Sequence, residues 1–143
     1  MLATDHWLLD NEGASMNILI VDDDSTDVRF LQELLTEAGA GSSRLVHVEN
    51  LRTALQRLQE ELFDIVLLDF FLPGSQGPES IHCLREQTPD VPIVFVTGLN
   101  DEDLGRQMIK SGAQGYLVKG QIEGAALLRT LHDIIAQHRA QHS

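Results

Sequence analysis

Residues 64–69 read DIVLLD: four consecutive apolar residues with an aspartate at each end. A strand with one wet face alternates apolar and polar residues, so an unbroken apolar run of this length is buried on both faces. It is too short to be a buried helix and predicts a central strand of a parallel sheet. Asp69 then stands where that strand leaves the core.

Working outward, the same short apolar signal recurs as NILIV (17–21), RLVHVE (44–49), IVFVT (93–97) and YLVK (116–119). Between the strands the period changes to that of a helix. Val28, Phe30, Leu31, Leu34, Leu35 and Ala38 share one spacing, closed by Gly39. Leu51, Ala54, Leu55 and Leu58 share the next. Pro78 opens a third helix to about residue 86, as proline suits a first helical position. DEDLGRQMIKSG (101–112) carries acids in its first turn and Gly112 beyond its end. The last helix spans about 123–136, with Ala126, Leu127, Leu131, Ile134 and Ile135 facing inward. Strict alternation of strand and helix predicts an α/β, doubly wound parallel sheet with right-handed crossovers in one domain. Residues 1–16 read as an N-terminal extension, a mobile arm carrying Trp7, Leu8 and Leu9. Residues 17–137 form the domain, and 138–143 a polar tail that frays.

The 143 residues carry 10 Lys and Arg against 22 Asp and Glu, a net charge of -12, which argues against nucleic acid or an anionic membrane as partner. No apolar run approaches the ~18 residues that cross a bilayer. The N-terminus lacks a basic region followed by an apolar stretch, so a cytoplasmic protein is expected. Cys83, flanked by Ile81 and Leu84, reads as core filler. His138 and His142 are four apart, but in a tail read as disordered they predict no metal site.

In an open α/β sheet, functional groups gather beyond the carboxyl ends of the strands. The first strand ends in Asp22 and Asp23, the third in Asp69, the fourth in Thr97 and the fifth in Lys119. Taken singly these are ordinary cap, turn and surface residues. Together they converge on one rim. At ~5 Å and an effective dielectric of ~20, each carboxylate pair costs about 3 kcal/mol, so a cation is expected. Oxygen donors suit Mg²⁺, and no Cys/His set exists for zinc. With Asp22 and Asp23 on the metal, Asp69 is placed to attack a phosphoryl group and carry it as an aspartyl phosphate. Lys119 and the metal would neutralise the phosphoryl oxygens, and Thr97 would donate a hydrogen bond to one.

These residues sit in the stretches ILIVDDDST, DIVLLDFFLPGSQG, PIVFVTG and GAQGYLVKG. In them the chain resembles the receiver domain of bacterial two-component response regulators, the CheY-like fold. The resemblance implies a flavodoxin-like (βα)5 sheet of strand order 2-1-3-4-5. It also implies Mg²⁺-dependent phosphotransfer from the phosphohistidine of a histidine kinase or phosphotransfer protein to Asp69. The metal ligands it implies are Asp22, Asp23, Asp69 and the backbone carbonyl of Phe71. Thr97 and Tyr116 would shift together and remodel the face of the fourth helix, fifth strand and fifth helix, where a downstream protein binds. The implied protein is a phosphoacceptor rather than an enzyme; a homodimer is compatible with the sequence. Asp24 reads as a loop acid favouring the first helix's dipole.

Two departures stand out. Gly120 replaces the proline usual after the family's lysine, which leaves the Lys119 loop looser and resembles receivers attached to sensor kinases and cyclic-dinucleotide enzymes. Phe71 and Leu99, two residues beyond Asp69 and Thr97, place apolar groups where hydrolysis is tuned and predict a long-lived phosphoryl group. Gly105, in mid-helix, costs ~1 kcal/mol relative to Ala. It marks either a labile fourth helix or a close packing contact. The alternatives to a phosphorylated switch are an interaction module that works without phosphorylation, or a receiver excised from a longer kinase or cyclic-dinucleotide protein.

Overall fold

The computed structural model describes residues 16–39, 43–72, 78–98 and 100–142. Residues 1–15 of the expected N-terminal arm, with Trp7, Leu8 and Leu9, and Leu99 lie outside them; Met16, expected in the mobile arm, belongs to the folded domain. Five strands, β1 (Asn17–Val21), β2 (Arg44–Val48), β3 (Ile65–Asp69), β4 (Ile93–Thr97) and β5 (Gly115–Val118), alternate with five helices. The helices are α1 (Ser25–Glu37), α2 (Leu51–Glu60), α3 (Pro78–Gln87), α4 (Glu102–Lys110) and α5 (Gly124–His142). All strand pairs are parallel, in the order β2-β1-β3-β4-β5. This is the flavodoxin-like arrangement, with β3 at the centre.

Every residue of β3 and β4 is buried because each face of the sheet has its own core. Ile18, Ile20, Ile65, Leu67, Val94 and Val96 join Leu31, Leu35, Leu127 and Leu131, so α1 and α5 cover this face. Leu19, Val21, Val66, Leu68, Ile93 and Phe95 join Ala54, Ile81, Leu84 and Met108 from α2, α3 and α4 on the other. Alternate residues of one strand thus enter opposite cores, the period of two that an extended chain imposes. Full burial of a side chain such as Leu67 is worth about 2 kcal/mol. Met16 is itself fully buried, and its N–H donates to Ser43 Oγ at 3.1 Å.

Several helix ends follow local chemistry. Asp24 caps α1 by accepting from the Thr26 N–H at 2.9 Å, which makes it a true N-cap. Gly112 follows α4 with φ +118°, and its N–H donates to Ile109 O.

Three further expectations fail. Cys83 is exposed: Ile81 and Leu84, three apart, supply the buried stripe of α3, and the two residues between them, His82 and Cys83, point away from it. The segment from 138 onward is not a frayed tail, because α5 runs on to His142. His138 is buried, continuing the stripe of Leu127, Leu131 and Ile135, and its Nε2 bonds the Asp90 carbonyl at 2.5 Å. Arg139 pairs with Asp64 Oδ1 at 2.5 Å. Polar partners at the far end of the sheet hold the last turns that hydropathy assigned to solvent. Ala126, expected inward, is exposed.

Candidate functional site

The rim beyond the carboxyl ends of β1, β3, β4 and β5 carries the candidate site. Asp22 leaves β1 with its N–H still donating to Val48 O at 3.1 Å, one bond past the strand. His47 Nε2 donates to the Asp22 carbonyl at 2.7 Å from β2. Asp22 Oδ1 accepts from the Asp24 N–H at 2.9 Å. The DDD run therefore divides its labour: Asp22 is buried and fixed, Asp23 is exposed on the rim, and Asp24 caps a helix.

Asp69 ends β3 opposite Val96 of β4, buried at 5% exposure, and its Oδ1 accepts from the Phe71 N–H at 3.4 Å. One carboxylate oxygen each of Asp22, Asp23 and Asp69 lies within 4.8 Å of the others. Lys119 enters from the end of β5, where Lys119–Gln121 form a single 3₁₀ turn. Its Nζ lies 3.3 Å from Asp22 Oδ2, 3.5 Å from Asp69 Oδ1 and 2.5 Å from Asp27 Oδ2.

The electrostatics match this crowding. Burial, reinforced by Asp69, pushes the Asp22 carboxyl above its usual range, against the opposing pull of the Asp24 N–H and Lys119. Burial alone would lower the Lys119 ammonium; the bond to Asp27 and the fields of Asp22, Asp69 and Asp27 outweigh it and raise it. Lys119 is thus a fixed cation, and carboxylate charge still exceeds it. Three hard oxygen donors with surplus negative charge fit Mg²⁺.

Asp22, Asp23, Asp69 and Lys119 are therefore brought together. Thr97 ends β4 beside them, one residue past the partner of Asp69, and is buried. Tyr116 stands back from the rim, paired with Phe95, with its ring against α4. There Gly105 is buried, and a Cβ at that position would collide with Tyr116 Cε1 and Cζ. Close packing is thus what the mid-helix glycine serves. Phe71 is half exposed and stacks edge-on against Phe70, ring centroids 4.8 Å apart. Leu99 lies outside the described residues.

The sequence reading missed Asp27 and His47. Asp27 sits three residues after the cap Asp24, at the N3 position where an acid faces back toward a helix start. That spacing was legible; the partner across the rim was not.

Comparison with known proteins decides the family. The model of the response regulator receiver domain matches residues 18–132. The chain belongs to that family. This receiver domain is 31% identical over 131 residues to the transcriptional regulatory protein ZraR of Klebsiella oxytoca, covering 92% of this chain and 29% of ZraR. It is 34% identical over 132 residues to the transcriptional activator protein ExaE of Pseudomonas putida, covering 86% of this chain and 56% of ExaE. The receiver domain thus spans about a third of the one relative and just over half of the other. Among solved structures, the signal receiver domain of an HD domain-containing protein from Pseudomonas fluorescens superposes with a TM-score of 0.76 at 26% identity. That match covers 89% of this chain and 91% of the other.

Proposed function

We propose that this receiver domain accepts a phosphoryl group on Asp69, with Mg²⁺ required, from the phosphohistidine of a histidine kinase or phosphotransfer protein, and that acceptance switches its binding to a downstream protein. The observation that carries the reading is the meeting of Lys119 Nζ with Asp69 Oδ1 at 3.5 Å beside the acid cluster of Asp22 and Asp23. Asp22, Asp23, Asp69 and the Phe71 carbonyl would hold Mg²⁺, which when bound supplies positive charge against the phosphoryl oxygens.

An Asp69 carboxylate oxygen attacks phosphorus while the N–P bond of the phosphohistidine breaks. The bonding pair returns to the imidazole, which takes a proton from solvent. Lys119 offers its ammonium to the phosphoryl oxygens, and the Thr97 hydroxyl donates to another. Thr97 and Tyr116 then shift together, and the α4-β5-α5 face changes. A depression of about 520 Å³ lined by Glu102, Gly105, Arg106, Ile109, Lys110 and Tyr116 lies on that face. Phe71 beside Asp69 has no group to activate water, so the phosphoryl group persists. Among the described residues no helix is long and apolar enough to cross a membrane.

Incubation with acetyl phosphate and Mg²⁺, followed by intact mass, tests the reading. Wild type should gain one phosphoryl group that survives for minutes, and Asp69→Asn or EDTA should abolish the gain. No gain in the wild type with Mg²⁺ present refutes it.

A further inference from the structure

The ammonium of Lys119 lies closer to Asp27 than to any residue of the acid cluster: 2.5 Å, against 3.3 Å to Asp22 and 3.5 Å to Asp69. A lysine has three ammonium protons, and here three carboxylates stand around it. The two sides of the contact differ in stiffness. Asp27 rides the first turn of α1, a thirteen-residue helix capped by Asp24 and anchored beside it by buried Val28. Lys119 opens a three-residue turn, and a Cβ at the following Gly120 would meet nothing within 4 Å. The longer, capped helix offers the lysine a partner held from outside its own short turn.

We infer that Asp27 is a positioning residue for Lys119, holding its ammonium from the α1 side so that the remaining protons face Asp22 and the phosphoryl group arriving on Asp69. This rests on the function proposed above. The group the lysine serves is the phosphoryl group, and Asp27 never touches it. Without the anchor, the four-carbon stem of Lys119 samples other rotamers and the ammonium is in place for fewer encounters.

The experiment is a cycle of four proteins: wild type, Asp27→Asn, Lys119→Met and the double variant. Asparagine keeps the size and removes the charge. Phosphoryl uptake from acetyl phosphate with Mg²⁺ should slow about tenfold in Asp27→Asn, and by less than twofold when the same change is made in Lys119→Met. Urea unfolding of the same proteins in EDTA should show the two changes coupled by about fivefold in the unfolding equilibrium constant. Uptake that rises in Asp27→Asn, as simple repulsion of the anionic donor by Asp27 requires, overturns the inference. So do an unchanged rate and additive unfolding. If the wild type takes up no phosphoryl group, the proposed function fails, and the unfolding cycle alone decides whether Asp27 holds Lys119.

Discussion

Both ends of the sheet are lined with charge, and they use it in opposite ways. At the amino end, each cation meets an acid or a set of acceptors. Arg139 pairs with Asp64, whose second oxygen accepts from the Asn17 N–H at 2.7 Å. Arg85 donates to Val91 O at 2.5 Å, to Gly112 O at 3.0 Å and to Gln114, tying the loop before β4 to the loop before β5. Arg44 and Arg57 meet Glu61 at 2.5 and 2.6 Å. At the carboxyl end, Asp22, Asp23 and Asp69 crowd together, and the nearest ammonium, Lys119, is shared with Asp27. Matched charge fixes loops. Like charge held together by a core stores repulsion that a bound cation can relieve, which separates a structural cluster from a site.

The widest break in that comparison should come from Arg85→Met. It leaves the Val91 and Gly112 carbonyls and the Gln114 side chain without their charged donor, and should cost about 2–3 kcal/mol. A fall in the urea midpoint at constant slope measures it, with phosphoryl uptake by the folded fraction unchanged. At the other end, Asp22→Asn in Mg²⁺-free buffer should leave stability the same or raise it by about 1 kcal/mol, because it removes a carboxylate that burial and Asp69 disfavour. The rise in Tm on adding Mg²⁺ should shrink in the same variant. A loss matching that of Arg85→Met would erase the distinction between the two ends.

The smallest effect sharpens it. A carboxyl NMR titration without metal should find Asp22 above its ordinary 3.8 and Glu61 below its ordinary 4.5, the latter chiefly through its bond to Arg44. The signs oppose. Folding tightens the proton on Asp22, so its contribution to stability falls as pH rises through 3.8 toward the folded value. Folding loosens the proton on Glu61, so its contribution is full above 4.5 and is lost as pH falls through the folded value.

The strands were legible because a chain buried on both faces is apolar along an unbroken run, as Ile65–Leu68 and Ile93–Val96 are. The convergence of the candidate site's main residues was legible for a related reason. In a parallel sheet all strands end at one rim, so reading the last residue of each run finds Asp22, Asp23, Asp69, Thr97 and Lys119 together. Gly105 was recognised as anomalous, but its meaning depended on the Tyr116 ring eleven residues later. Cys83 misled because its neighbours in sequence, Ile81 and Leu84, are not its neighbours on the helix face.

The sequence by itself determined the alternation of strand and helix, the single sheet and the identity of its polar rim, since these follow from local periodicity and from where apolar runs stop. Tertiary structure alone decided that Asp27 reaches Lys119, that His47 holds the Asp22 carbonyl, and that α5 continues past its apolar stripe to lodge His138 and Arg139 against the opposite end of the sheet. Each of these is a contact between segments far apart in the chain, set by how α1, β2 and α5 lie against the sheet, and no local pattern of residues encodes that distance.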